Sequence, residues 1–137
     1  MQVTRPPENG SATLKDMPRA RRPAAPPAPA RSPCPIASSL DLLGDKWSLL
    51  VLRDALCFGK SRFAQFLASG EGISTNLLTE RLTRLTRAGL LERRLYERKP
   101  ARHEYLPTEM ARDLLPVLVE LIRWGNRHVP GTFAPDP

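Results

Sequence analysis

The chain has 137 residues, 41% hydrophobic and 26% charged, with 21 Lys and Arg against 14 Asp and Glu for a net charge of +7. That length suits one domain whose core is large enough to fold without disulfide or metal staples, and the basic balance points to an anionic partner. Two cysteines are too few for a disulfide scaffold, and no apolar run approaches the ~18 residues that a bilayer span needs, so a cytoplasmic, nucleoid-associated protein with no membrane partner is expected.

Residues 1–33 carry eight of the fifteen prolines and six Lys/Arg against two acids. Prolines at this density remove backbone donors and fix φ, so a disordered tail is expected there. It has no apolar core of the kind a secretory signal needs. One folded domain is expected over residues 34–128, followed by a flexible C-terminal tail at 129–137. Pro35 suits a first helical position, and Ile36, Ala37, Leu40 and Leu43 form an apolar stripe ending at Gly44. A second helix over residues 46–56 carries Trp47, Leu50, Val51, Leu52, Ala55 and Leu56, enough apolar surface to be buried on most sides. Cys57, at its end, is expected in the core. After the turn at Phe58-Gly59-Lys60, Ser61 is placed to cap a short helix bearing Phe63, Phe66 and Leu67.

Residues 74–88 are the stretch around which the rest is arranged. Ser74 is an N-cap residue, Ile73 and Leu78 flank it as a hydrophobic staple, and Gly89 falls where a left-handed residue ends a helix. At helical spacing Leu77, Leu78, Leu82, Leu85 and Ala88 make one apolar stripe, with Asn76, Thr79, Glu80, Thr83 and Arg87 opposite. Short hydrogen-bonding side chains plus arginine suit base edges and phosphates in a DNA major groove. The charge supports that reading, because residues 74–102 hold eight Lys/Arg against three Glu while the remainder of the folded region is slightly acidic.

A short helix, a Gly-containing turn and this longer helix form a helix-turn-helix pattern. Beyond Gly89, Leu91, Arg93 and Leu95 alternate with Glu92, Arg94 and Tyr96 as a strand of period two. Residues 97–101 make a charged turn and residues 103–106 the returning strand. The expected fold is therefore mainly α with a small β-hairpin (α+β): a winged helix-turn-helix with an N-terminal helix and a C-terminal dimerisation helix. Thr108 is placed to cap that last helix, over residues 109–125, which Pro116 should bend. Leu114, Leu118, Leu121, Ile122 and Trp124 give it more apolar surface than a small domain can bury, so it is assigned as a homodimer interface.

The expected double-stranded DNA contacts divide into two groups. Ser74, Thr75, Asn76 and Thr79, with Thr83 further along, should meet base edges or nearby phosphates. Arg84, Arg87, Arg94, Arg98 and Lys99 should meet phosphates. Arg81, at the margin of the apolar stripe, is expected to be structural and paired with a carboxylate such as Asp54. Catalytic, metal and cofactor sites are not expected, since no arrangement of Ser, His, Asp or Cys has the needed spacing. Cys34, beside the start of the first helix and near Arg31, is a candidate redox sensor in a position that favours a thiolate. The competing functional class is a winged helix that binds RNA or a protein partner without operator specificity. Sequence-specific RNA recognition favours exposed aromatics, and residues 74–102 contain only Tyr96.

The pieces CPI…LDLLGDKW, LLVLRD, SRFAQFL, GIS…LLTERLTRL…GLLERR, EYLPTE and LLPVL…WG, in this order, resemble the HxlR-type transcriptional regulators, relatives of the MarR group. The resemblance covers residues 34–124 and departs from the family pattern near Met110. It implies a dimer on short palindromic operators. It also implies, for several members, an oxidant- or electrophile-sensing cysteine at the position of Cys34, and hence a small-molecule or oxidant effector.

Overall fold

A computed structural model describes residues 30–135, so the expectation for most of the N-terminal tail lies outside the described residues. The elements run α1 (Pro35–Leu43), α2 (Ser48–Cys57), α3 (Phe63–Leu67), α4 (Thr75–Arg87), β1 (Leu91–Arg98), β2 (Ala101–Pro107), α5 (Glu109–Arg112) and α6 (Leu115–His128). The mainly helical fold with one antiparallel hairpin is the one the residue pattern implies.

The core is built where α2 and α4 meet. Val51, Leu52 and Ala55 of α2 pack with Leu78, Leu82 and Leu85 of α4, closed by Phe66, Ile73, Leu90, Leu91 and Ala111. Each fully buried Leu or Phe contributes about 1.5–3 kcal/mol, and this cluster fixes which face of α4 points outward. Asp54, also buried, holds Arg53 at 2.9 Å and Lys60 at 3.7 Å.

Several local expectations change. The cap of α3 comes from Gln65, whose side-chain oxygen accepts from the N–H groups of Ser61 and Arg62 at 3.0 Å each; Ser61 itself turns to Glu104. Cys57 is exposed, because the last turn of α2 runs out of the core. The single helix expected over 109–125 is two. Pro116 has no N–H to give Arg112 and its ring clashes with that carbonyl, so α5 stops at Arg112 and α6 starts afresh with proline in its first turn. The strands extend further into the hairpin than expected, leaving only Lys99 and Pro100 between them.

Both ends of the described chain are tied back. Arg31 Nε donates to both carboxylate oxygens of Asp41 at 2.9 and 3.0 Å, so it is committed there rather than to Cys34. At the other end, Thr132 Oγ1 donates to Gly125 O, and the Asn126 side chain exchanges hydrogen bonds with the backbone of Ala134 at 2.8 and 2.9 Å. The C-terminal segment is therefore folded onto α6 as far as it is described.

Asp45 links the helices. Its Oδ2 accepts from the N–H groups of Trp47 and Ser48 at 3.0 Å each, capping α2, and its Oδ1 accepts from Ser48 Oγ. Its carboxylate also lies 3.0 Å from Arg81 Nε, correcting the expected Asp54 partner: Asp54 is taken by its neighbours at the far end of α2. The Arg81 N–H is not aimed along that line, so the contact is a charge pair rather than a directed hydrogen bond. Partial burial works against the Asp45 charge, but the Ser48 hydroxyl, the two N–H groups and Arg81 outweigh it and hold the carboxyl below the usual carboxylate range. A depressed pKa stabilises the fold above the unfolded-state value, and this contribution disappears as pH falls through the folded-state value. Asp45→Asn, which keeps a capping oxygen but loses the charge, should therefore lower stability by about 1 kcal/mol at pH 7. Its deficit relative to wild type should shrink as pH falls below about 4; denaturant melts over pH 2.5–7 test this, and a pH-independent deficit would contradict it.

Candidate nucleic-acid interface

Helix α4 presents the candidate surface. Ser74 is the N-cap, and its Oγ accepts from Leu77 N at 3.3 Å. The far end is a Schellman closure: Leu90 N–H reaches Leu85 O at 2.9 Å and Gly89 N–H reaches Thr86 O at 3.1 Å, with Gly89 at φ +82°. Thr108 Oγ1 then donates to Gly89 O at 2.6 Å and accepts from Ala111 N, locking the end of α4 to the start of α5. With Leu78, Leu82 and Leu85 buried, Ser74, Thr75, Asn76, Thr79, Thr83 and Arg87 are all exposed on the outer side. Three threonine hydroxyls donate one turn back, Thr79 to Thr75 O at 2.8 Å, Thr83 to Thr79 O at 2.9 Å and Thr86 to Leu82 O at 2.7 Å.

The hairpin stands beside this face. Arg93 pairs with Tyr105 and Leu95 with His103, and a bulge at Tyr96 shifts the register so that Glu97 meets Arg102 and Arg98 meets Ala101. Residues opposite one another share a face of a ladder. The extra residue therefore moves Arg98 onto the face of Arg93, His103 and Tyr105, whereas strict alternation would have placed it with Arg94. That shared face looks toward α4: Arg93 and Tyr105 line a cleft of about 380 Å³ with Thr79, Thr83, Thr86 and Arg87. Arg93 Nη2 is also 3.1 Å from His103 Nδ1.

Three contacts brace the hairpin against the start of α3. Tyr105 N–H donates to Ser61 O at 2.7 Å, Ser61 Oγ lies 3.4 Å from Glu104 Oε2, and the Arg62 guanidinium sits 4.2 Å from the Tyr96 ring centre. Bulges re-aim side chains, and here the bulged residue is the one that stacks on Arg62.

The cationic side chains expected at the interface do not all stand alike. Arg87 lines the cleft, Arg98 is exposed on the hairpin face that looks toward it, and Lys99 is exposed in the turn at the hairpin tip. Arg84 is turned back, with Nη2 donating to Asp41 O and Nη1 3.9 Å from Asp45. Arg94 lies on the other face of the hairpin, opposite Glu104 and 3.7 Å from Glu92. Arg93 and Arg62 were not singled out from sequence. Arg93 shares its strand face with Leu91 and Leu95, which reads as a packing face, and the Arg62–Tyr96 stack joins residues 34 positions apart with no local signal.

Of the residues assigned to dimerisation, Leu118 is buried and Leu114 packs against the core of its own chain. Leu121 and Trp124 are exposed (48% and 59%), Val117 shares their side of α6 at helical spacing, and Leu115 elsewhere on α6 and Ile36 and Leu40 in α1 (72% and 58%) are exposed too. Cys34 is the exposed N-cap of α1, its N–H held by Ser32 Oγ at 3.1 Å.

Comparison with known proteins places this geometry in a family. The family model described as HxlR-like helix-turn-helix matches residues 42–132. An uncharacterised HTH-type transcriptional regulator of Mycobacterium tuberculosis is 42% identical over 100 residues, which are 73% of this chain and 62% of that protein. The chain thus spans less than two thirds of the length of that relative. Among solved structures, PA1607, proposed to be a transcription factor, is 36% identical with a TM-score of 0.66, over 78% of this chain and 71% of that one. The redox regulator HypR in its oxidised form is 32% identical with a TM-score of 0.60, over 69% of this chain and 97% of that one. The chain belongs to the HxlR-like helix-turn-helix family.

Proposed function

We propose that the protein is a sequence-specific, duplex-DNA-binding repressor that acts as a homodimer on a palindromic operator. The observation that carries this reading is the cleft between α4 and the hairpin, where uncharged hydrogen-bonding side chains lie between Arg87 on one side and Arg93 on the other. Such an arrangement suits a helix in the major groove with cations on the flanking backbone. In this reading Ser74, Thr75, Asn76 and Thr79 meet base edges, with Thr83 further along the groove. Arg87, Arg93, Arg98 and Lys99 meet phosphates, Arg94 meets the backbone from the outer side of the hairpin, and Arg84 adds positive potential from its anchored position.

The dimer follows from the apolar surface left uncovered. Leu121 and Trp124 of α6, with the half-buried Ile122, form the proposed contact, joined by the outward face of α1, while Leu114 and Leu118 support α6 from within. A two-fold pair would set the recognition helices about 34–36 Å apart, one turn of DNA. Cys34 is the proposed sensor: it is exposed at a helix start, and HypR, which shares the fold, is a redox regulator. An oxidant or electrophile is the corresponding effector class.

Asn76→Ala should cost about 1–3 kcal/mol on the selected operator and much less on random duplex. Arg93→Ala and Arg98→Ala should weaken both alike, each flattening the salt dependence by about one unit of slope. Equal losses for Asn76→Ala on both duplexes would remove its base-reading role. Trp124→Asp should sediment as a monomer; a dimer would exclude α6 as the interface. Diamide should change operator affinity of wild type and of Cys57→Ser but not of Cys34→Ser. The Cys57 control is needed because both thiols are exposed, and a response that follows Cys57 instead would exclude Cys34 as the sensor.

A further inference from the structure

On the duplex-DNA reading, on which this inference rests, the threonines of α4 do more than furnish neutral polarity. Thr79 and Thr83 are one turn apart on the exposed face, about 6 Å along the helix axis. Each hydroxyl donates its proton to the carbonyl four residues earlier, at 2.8 and 2.9 Å. A hydroxyl has one proton and two lone pairs. With the proton engaged, the oxygen offers the groove an acceptor only. Turning that proton to a base would exchange one hydrogen bond for another, whereas accepting from a base amine adds one. The bond also restricts χ1 of a stiff β-branched side chain, so the methyl group is held on the same exposed face. Both threonines line the cleft beside Arg87 and Arg93, which places them where a groove wall would lie.

In the major groove an A·T pair is the one that displays both an amine donor, adenine N6, and a methyl group, on thymine C5. A G·C pair displays two acceptors on guanine and an amine on cytosine but no methyl. From the committed hydroxyl protons of Thr79 and Thr83 we infer that these two residues select A·T pairs in each half-site: the oxygen accepts from adenine N6 and the side-chain methyl packs on the thymine methyl. The cap residue at the start of the helix differs, since the Ser74 hydroxyl accepts from Leu77 N and keeps its proton for an acceptor on the DNA.

The test uses the full chain and duplexes enriched from a random pool. Each thymine of an enriched duplex is replaced in turn by deoxyuridine, which removes the C5 methyl and keeps every hydrogen-bonding group. At two positions per half-site the replacement should weaken binding about fourfold, the effect of burying a single methyl group. The penalty at one position should vanish in Thr79→Ser and at the other in Thr83→Ser, because serine keeps the hydroxyl and lacks the methyl. Thr79→Val and Thr83→Val, which keep a methyl, should retain it. Enriched half-sites with G·C throughout the stretch under α4, or deoxyuridine penalties that persist unchanged in both serine variants, would overturn the inference and leave the DNA-binding reading intact. A protein that enriches no sequence from the pool would defeat that reading itself, and this inference with it.

Discussion

The carboxylate of Asp45 is the contact on which the placement of the recognition helix depends. It caps α2 through two backbone N–H groups and the Ser48 hydroxyl, and it faces Arg81 of α4 at 3.0 Å. The leucines of α4 would fit against α2 with some freedom to slide or rotate, because apolar packing is not directional. A charge pair between the residue that caps α2 and the middle of α4 restricts that freedom. Arg84 adds a second tie one turn on, to Asp41 O at the end of α1. Two of the three arginines of α4 are thereby used to hold it, and Arg87 is the one left exposed toward the cleft.

The hairpin depends on the same helix in a different way. The Schellman closure at Gly89 and the Thr108 bond to Gly89 O set where the chain leaves α4 and where it returns from β2. From that base β1 is almost wholly exposed, with Leu91 its one buried residue. Its direction is held by the neighbouring loop, through Ser61 and through Arg62 stacked on Tyr96. The bulge at Tyr96 then brings Arg98 to the side of Arg93 and Arg87. Four separate local features thus converge on one basic, hydroxyl-rich cleft.

Much of this was legible in sequence where the signal is local. The cap at Ser74, the apolar stripe of α4 and the glycine at its end are spaced by helix geometry, and the structure reproduces them. The partner of Arg81 was not legible, since Asp45 just before α2 and Asp54 in its last turn both offer a carboxylate and only the packing of α4 selects between them. The same holds for Cys57, whose exposure depends on where α2 leaves the core. Pro116 was visible, but whether it bends a helix or starts a new one depends on what precedes it; Thr108 is a strong cap and Ala111 is buried, so a separate short helix forms first. The bulge had no signature of its own. It placed Arg98 on the face of Arg93, whereas alternation alone puts it on the face of Arg94.

The exposed apolar residues of α1 and α6 and the exposed polar face of α4 are separate surfaces, and their chemistry suits separate partners: a second copy of the chain and duplex DNA. Mapping backbone amide shifts of the labelled full-length protein on titration with an enriched duplex tests this most directly. The largest changes are expected at residues 74–87 and 93–101, with α6 unchanged. Largest changes in α6, with α4 and the hairpin silent, would contradict the assignment of α4 to the DNA.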